Sequence, residues 1–122
     1  MEDAHQAHLD LGRRGEAFAL AWYTRSGFRL IARNWRCSFG ELDLVLLRDG
    51  TLVFCEVKAR RGSALGGPHE AVGRNKQHKL RLLGAAFLLQ SQLRPDEVRF
   101  DVASVSEDGR GKLGVHVFEH AF

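Results

Sequence analysis

Residues 40–62 read GELDLVLLRDGTLVFCEVKARRG, and this stretch restricts the possible folds more than any other. Two apolar runs flank Asp49-Gly50, and Asp-Gly between such runs is a strong short signal for a β-hairpin. With a two-residue turn there, Arg48 pairs with Thr51, Leu47 with Leu52 and Val45 with Phe54. The same register carried onward sets Asp43 opposite Glu56 and Glu41 opposite Lys58, each pair on one face. Val45, Leu47, Leu52 and Phe54 share one side of the hairpin. Leu42, Leu44, Leu46, Val53, Cys55 and Val57 share the other. A sheet apolar on both sides needs cover on both sides, so the pattern predicts an α/β layer sandwich with helices flanking the sheet.

The flanking segments supply that cover. Leu11, Gly15, Phe18 and Trp22 recur at helical spacing over residues 8–26, and Gly27 is the expected stop. Gly12 and Gly15 weaken a helix, so they point to a close approach to the sheet or to a phosphate. FRLIARNW (28–35) reads as a strand. RRGSALGGPH (60–69) reads as a glycine-rich loop of the kind that contacts ligands. A second helix is expected to start between Glu70 and Lys76, to align Leu80, Leu83 and Phe87, and to end before Arg94-Pro95-Asp96. EVRFDVASV and KLGVHVF, around the EDGRG turn, read as strands. The order is α-β-β-β-α-β-β in a single domain, 1–122, with residues 1–8 expected to fray.

Composition narrows the setting. A net charge of +3 and a pI near 9.2 suit an anionic partner. The excess is mostly arginine, whose planar fork matches phosphate oxygens. Cys37 and Cys55 form no disulfide framework or metal motif, which reads as a reduced, cytoplasmic protein. No apolar run is long enough for a signal peptide or a membrane span, so no membrane partner is expected. The histidines are scattered and are given no role.

Charged groups at the open end of the hairpin need a reason. Two opposed carboxylates repel, and more so on a partly covered face. A shared proton, a nearby lysine or a bound divalent cation would offset the repulsion. Magnesium takes carboxylate oxygens, keeps several waters and is commonly completed by substrate phosphate. Lys58 beside it could orient a water or stabilise charge on a phosphate. These are the parts needed for phosphodiester hydrolysis. The bland alternative is a pair of solvated carboxylates at frayed strand ends. For Lys58 it is a cross-strand salt bridge to Glu41, worth under about 1 kcal/mol if exposed.

Asp43 followed by Glu56-Val57-Lys58 on a hairpin resembles the Asp…(Asp/Glu)-x-Lys site of restriction-endonuclease-like nucleases. More closely, GRRGEAFALAWY, ARNWRCSFGELDLVLLRDGTLVFCEVKAR, GGPHEAVGRNKQHKLR and RFDVASV, taken in order from Leu11 to Val105, resemble the YraN-like family. Those are small bacterial proteins expected to be endonucleases related to archaeal Holliday-junction resolvases. The resemblance implies a restriction-endonuclease-like α-β-β-β-α-β core, a mixed central sheet flanked by helices, here with an extra C-terminal strand. It implies Asp43 and Glu56 as ligands of Mg2+ or Mn2+, Lys58 as the catalytic lysine and Glu16 as an additional acidic residue. Leu42 stands where a proline often precedes the aspartate.

Further candidates surround this centre. Lys76 is in line with Leu80, Leu83 and Phe87 and is read as a phosphate contact, with snorkelling past the core as the bland alternative. Gln77 could position a water, and Glu41 could position Lys58. Arg60, Arg61, Arg74, Lys79 and Arg81 could form a track for a nucleic-acid backbone, or simply a solvated face. Asp101 is read as part of a structural salt bridge. The leading expectation is a metal-dependent endonuclease acting on DNA, at branched or irregular structures. The alternatives are a catalytically silent nucleic-acid-binding or protein-interaction module on a nuclease fold, or a purely structural charge network. Symmetrical cutting of two strands would suit a homodimer.

Overall fold

The computed structural model describes residues 4–62 and 72–122, with side chains from residue 9 onward. Helix α1 (Ala4–Arg25) leads into β1 (Arg29–Cys37), β2 (Gly40–Arg48) and β3 (Thr51–Arg61). Helix α2 (Arg74–Ser91), β4 (Glu97–Glu107) and β5 (Leu113–Phe118) follow. Among the described residues this is the expected α-β-β-β-α-β core with one more strand at its C-terminal end. Helix α1 begins at Ala4, inside the stretch expected to fray, and no proline or glycine interrupts it before Gly12. It ends where the Gly27 N–H donates to the Thr24 carbonyl, with Gly27 at φ 90°. The glycine-rich loop expected at 60–69 lies outside the described residues from residue 63 on.

The strands lie in the order β1-β2-β3-β4-β5, antiparallel except for the parallel β3–β4 pair. Parallel neighbours cannot be joined by a tight turn, and α2 lies in the connection that carries the chain back from β3 to β4. Arg48 pairs with Thr51 across Asp49-Gly50, and Val45 with Phe54, as the turn chemistry predicts. The Gly50 carbonyl then accepts the N–H groups of Asp96 and Glu97, which ties the turn to the start of β4.

Each sheet face has its own core. Ala19 and Tyr23 of α1 pack with Phe28, Leu44, Leu46, Val53, Cys55, Ala103 and Val105. On the other side Leu80, Leu83 and Phe87 of α2 pack with Val45, Leu52, Phe54, Val72 and Val102. Burying each Leu, Val or Phe of these cores contributes about 1.5–3 kcal/mol, which makes the two cores the main source of stability. Within the β2–β3 hairpin one residue departs from strict alternation. Leu42, expected beside Leu44, belongs to the α2-side core, as does its β1 partner Trp35, which meets Phe87 edge to face. Between the registered pairs Arg33–Leu44 and Trp35–Leu42, Asn34 adopts φ 52°, a left-handed conformation that re-aims the strand.

Polar groups also cross the α1 side. The buried Asp101 carboxylate accepts the Tyr23 hydroxyl at 2.6 Å, two N–H groups of Arg99 at 2.9 Å each and the His120 backbone N–H at 3.2 Å. This is the structural salt bridge expected of Asp101, and it joins α1, β4 and the C-terminal tail. No helix among the described residues is long and apolar enough to cross a membrane.

Gly15 shows why a helix tolerates a glycine here. A Cβ at this position would lie 2.8 Å from the Ala59 Cβ, too close for two carbons. The close approach anticipated at Gly15 is therefore to the sheet, whereas a Cβ at Gly12 would meet nothing within 4 Å. Gly15→Val is expected to push α1 off β3 and to cost about 1–3 kcal/mol. A lowered urea midpoint with unchanged slope is the expected result; an unchanged midpoint would contradict this packing.

Candidate active site

The β2–β3 ladder runs from Arg48–Thr51 to Leu44–Cys55 and stops there. Asp43 comes next, and its Oδ2 accepts the Val57 backbone N–H at 2.8 Å. A side-chain carboxylate thus takes the place of a main-chain acceptor, and β2 leaves β3 at this point. The expected cross-strand pairing of Asp43 with Glu56 and of Glu41 with Lys58 does not form. Glu41 instead accepts from Arg36 Nε of β1 at 2.7 Å, so it does not position Lys58.

Opening the ladder exposes Glu56 to α2. Its side chain remains largely buried, and Oε1 faces two ammonium groups: Lys76 Nζ at 3.0 Å and Lys58 Nζ at 3.8 Å. Alternation along β3 places Glu56 and Lys58 on this side of the sheet. Lys76 reaches it from the first turn of α2, one turn before Leu80. A cleft of about 440 Å3 lies over the group, lined among others by Asp43, Glu56, Asn75, Lys76 and Lys79.

Electrostatics in the cleft are unbalanced. Burial, then the Glu56 charge, pushes the Asp43 carboxyl up from an ordinary 3.8 to about 7, against the lowering effect of the Val57 hydrogen bond. Burial, then the neighbouring Lys76 charge, lowers Lys58. Burial acts in the same direction on Lys76, but the charge and hydrogen bond of Glu56, with Lys58 and Asp43 adding in the same sense, together outweigh it and hold Lys76 above its usual range. The Asp43 and Lys58 shifts mark groups held where their charge is costly, a frequent property of functional sites.

Two partly covered carboxylates suit a hard cation, and the raised Asp43 reflects burial and, after it, repulsion from Glu56 that a cation would relieve. Among the described residues no group of three or more His, Cys, Asp or Glu side chains is gathered as a metal cage. The available set is therefore Asp43 and Glu56, a number sufficient for magnesium completed by water and phosphate.

Other expected residues are less closely gathered. Glu16 lies near enough to raise Asp43, but its Oε1 accepts from Asn34 at 3.2 Å and faces Arg33 at 3.6 Å. Gln77 donates its amide to the Val72 carbonyl at 3.0 Å, a bond that fastens the chain entering α2 rather than one directed at a water. Arg61 pairs with Glu107 at 3.5 Å. Arg60 and Arg74 are exposed. Arg81 leans over Phe100 and Phe122 instead of joining the cleft. Of the expected basic track Lys79 lines the cleft, where it is joined by Lys76, the residue expected to contact phosphate. Sequence reasoning missed Asn34; an Asn within a strand, a residue that tolerates left-handed backbone, was the available signal.

Fold and site together define an α/β protein with a restriction-endonuclease-like core and a carboxylate–lysine cluster where its central hairpin opens. Residues 15–105 match the model of the uncharacterised protein family UPF0102. A UPF0102 protein of Ectopseudomonas mendocina is 46% identical over 108 residues, covering 88% of this chain and 91% of that one. One from Arthrobacter sp. is 45% identical over 102 residues, covering 84% and 86%, and one from Frankia alni is 44% identical over 119, covering 98% and 99%. The chain belongs to UPF0102, which is the YraN family.

The Asp43 shift has a definite pH signature. Between pH 3.8 and about 7 the folded chain keeps a proton on Asp43 that the unfolded chain has lost, so this group's contribution to stability falls as pH rises through that window. Asp43→Asn removes the charge while keeping an oxygen for the Val57 N–H. In metal-free buffer the melting temperature of the variant is expected to gain on that of the wild type from pH 4 to pH 8. A difference that does not change with pH would contradict the assignment.

Proposed function

We propose that this protein is a Mg2+- or Mn2+-dependent endonuclease acting on DNA. The observation that carries this reading is the convergence of Asp43, Glu56 and Lys58 where β2 leaves β3, beneath a cleft lined with further lysines. Asp43 would bind the cation through Oδ1 while Oδ2 stays on the Val57 N–H, and Glu56 would bind through its carboxylate. The ion, once bound, supplies Lewis-acid polarisation of the phosphate and an acidified water.

The chain's own groups account for the rest. Lys58 sits beside Glu56 with its proton held less firmly than on a solvated lysine. It is suited to orient the attacking water, take its proton, or return one to the leaving oxygen. Lys76 and Lys79 supply positive charge along the cleft for a phosphodiester backbone, and Asn75 supplies a neutral amide. Glu16, held by Asn34 and Arg33, acts on Asp43 through its charge alone. A cleft open on one side suits strands that can be laid in from solvent, including branched or irregular DNA. A twofold dimer would suit symmetrical cutting.

The test is cleavage of single-stranded, duplex, flap and four-way-junction DNAs with Mg2+ or Mn2+. Activity on at least one substrate is expected. Asp43→Ala and Lys58→Ala should each reduce the rate at least about a hundredfold without loss of fold by circular dichroism. Cleavage that persists in both variants would remove this mechanism. DNA binding without cleavage under every ion would favour the binding-module reading instead.

A further inference from the structure

Lys76 occupies an unfavourable position for a cation. The first turn of a helix carries partial positive charge, and acidic side chains are preferred there. The first turn of α2 has no acidic residue, and Gly73 at its N-cap offers no side-chain acceptor. Lys76 adds another positive charge to this end. What offsets that cost is Glu56, whose Oε1 lies 3.0 Å from Lys76 Nζ, closer than the 3.8 Å to Lys58. The two partners differ in exposure: the Glu56 side chain is 9% exposed and that of Lys76 is 45%. The carboxylate is fixed in the sheet, and the ammonium arrives from the solvent side on a flexible stem.

We infer that Lys76 is a displaceable internal counter-ion: its ammonium sits at the Glu56 oxygen in the metal-free protein, and a divalent ion enters by displacing it into the cleft. This rests on the reading of Asp43 and Glu56 as the cation ligands. The exchange breaks no covalent bond, since Lys76 stays protonated and changes partner. In the empty site it relieves the repulsion between Asp43 and Glu56. Once displaced, it remains at the rim beside Asn75 and Lys79, where a phosphodiester oxygen is the acceptor it would find. Metal and DNA then become coupled ligands, because the phosphate offers Lys76 a partner when the ion takes Glu56. Each should raise the affinity of the other.

Competition for Glu56 is separable from the general field of the cleft. Lys79 lines the same cleft, and no ion pair joins it to Glu56. Mn2+ is titrated calorimetrically into wild type, Lys76→Met and Lys79→Met at one pH and ionic strength, without DNA. Lys76→Met is expected to bind Mn2+ about tenfold more tightly than wild type. Lys79→Met should stay within about twofold of wild type, as expected for a screened charge. Lys76→Gln serves as a second variant with the same expected direction, should the methionine perturb folding by circular dichroism. Equal affinity in all proteins, or equal tightening by both lysine replacements, would overturn the counter-ion and leave the metal site standing. No Mn2+ binding by any of them would remove the metal site and the counter-ion together.

Discussion

The Asp43 Oδ2 to Val57 N–H hydrogen bond, 2.8 Å long, is the contact on which the site depends. A main-chain donor in a half-covered sheet must be satisfied, and here a side chain does it in place of the neighbouring strand. The substitution frees β2 to diverge from β3 while leaving no buried side-chain polar atom among the described residues without a partner. Asn34 makes the matching adjustment on β1, so Trp35 and Leu42 turn together into the α2-side core. The gap created in this way is lined by Asp43 and Glu56 from the sheet and by Asn75, Lys76 and Lys79 from the start of α2. Apolar packing on both sides holds the gap open, because closing it would pull Leu42 and Trp35 out of that core.

Two acids in the same sheet, Asp101 and Asp43, show how differently a carboxylate can be used. Asp101 is fully buried and receives hydrogen bonds from a tyrosine, an arginine and a backbone N–H. Its charge is compensated on every side, and it clamps α1, β4 and the tail. Asp43 receives one backbone hydrogen bond; burial first, and then the charges of Glu56, Glu16 and Glu41, raise its carboxyl to about 7. Such an imbalance is a standing cost to stability, and it is the kind of cost a fold retains where a ligand will offset it. The lysines compensate only in part, since Lys58 is itself pushed down by burial and by Lys76.

Much of this was legible in the sequence because the hairpin is unusually explicit. Asp49-Gly50 between two apolar runs fixed the turn, and Val45, Leu47, Leu52 and Phe54 emerged on the face assigned to them. Leu80, Leu83 and Phe87 also lie where helical spacing put them. The register failed where a side chain displaced the ladder: from Asp43 outward, no periodicity argument can tell a carboxylate that faces across from one that bonds to the backbone. Glu41 went astray for the same reason and found Arg36. Lys76 was legible as a lysine starting from a buried face, but its partner was not, because the turn of α2 over β3 is set by packing between distant segments. Tyr23 gave no sign of its bond to Asp101, which lies far along the chain.

On the proposed function Asp43 and Glu56 share one cation, a placement that anomalous diffraction from Mn2+-soaked crystals, recorded at the manganese edge, would reveal. One strong peak in contact with both carboxylates, with Lys76 Nζ withdrawn from Glu56 and the Asp43–Val57 bond intact, is the predicted result. No peak between the two carboxylates at saturating Mn2+, with Lys76 still seated on Glu56, would contradict it.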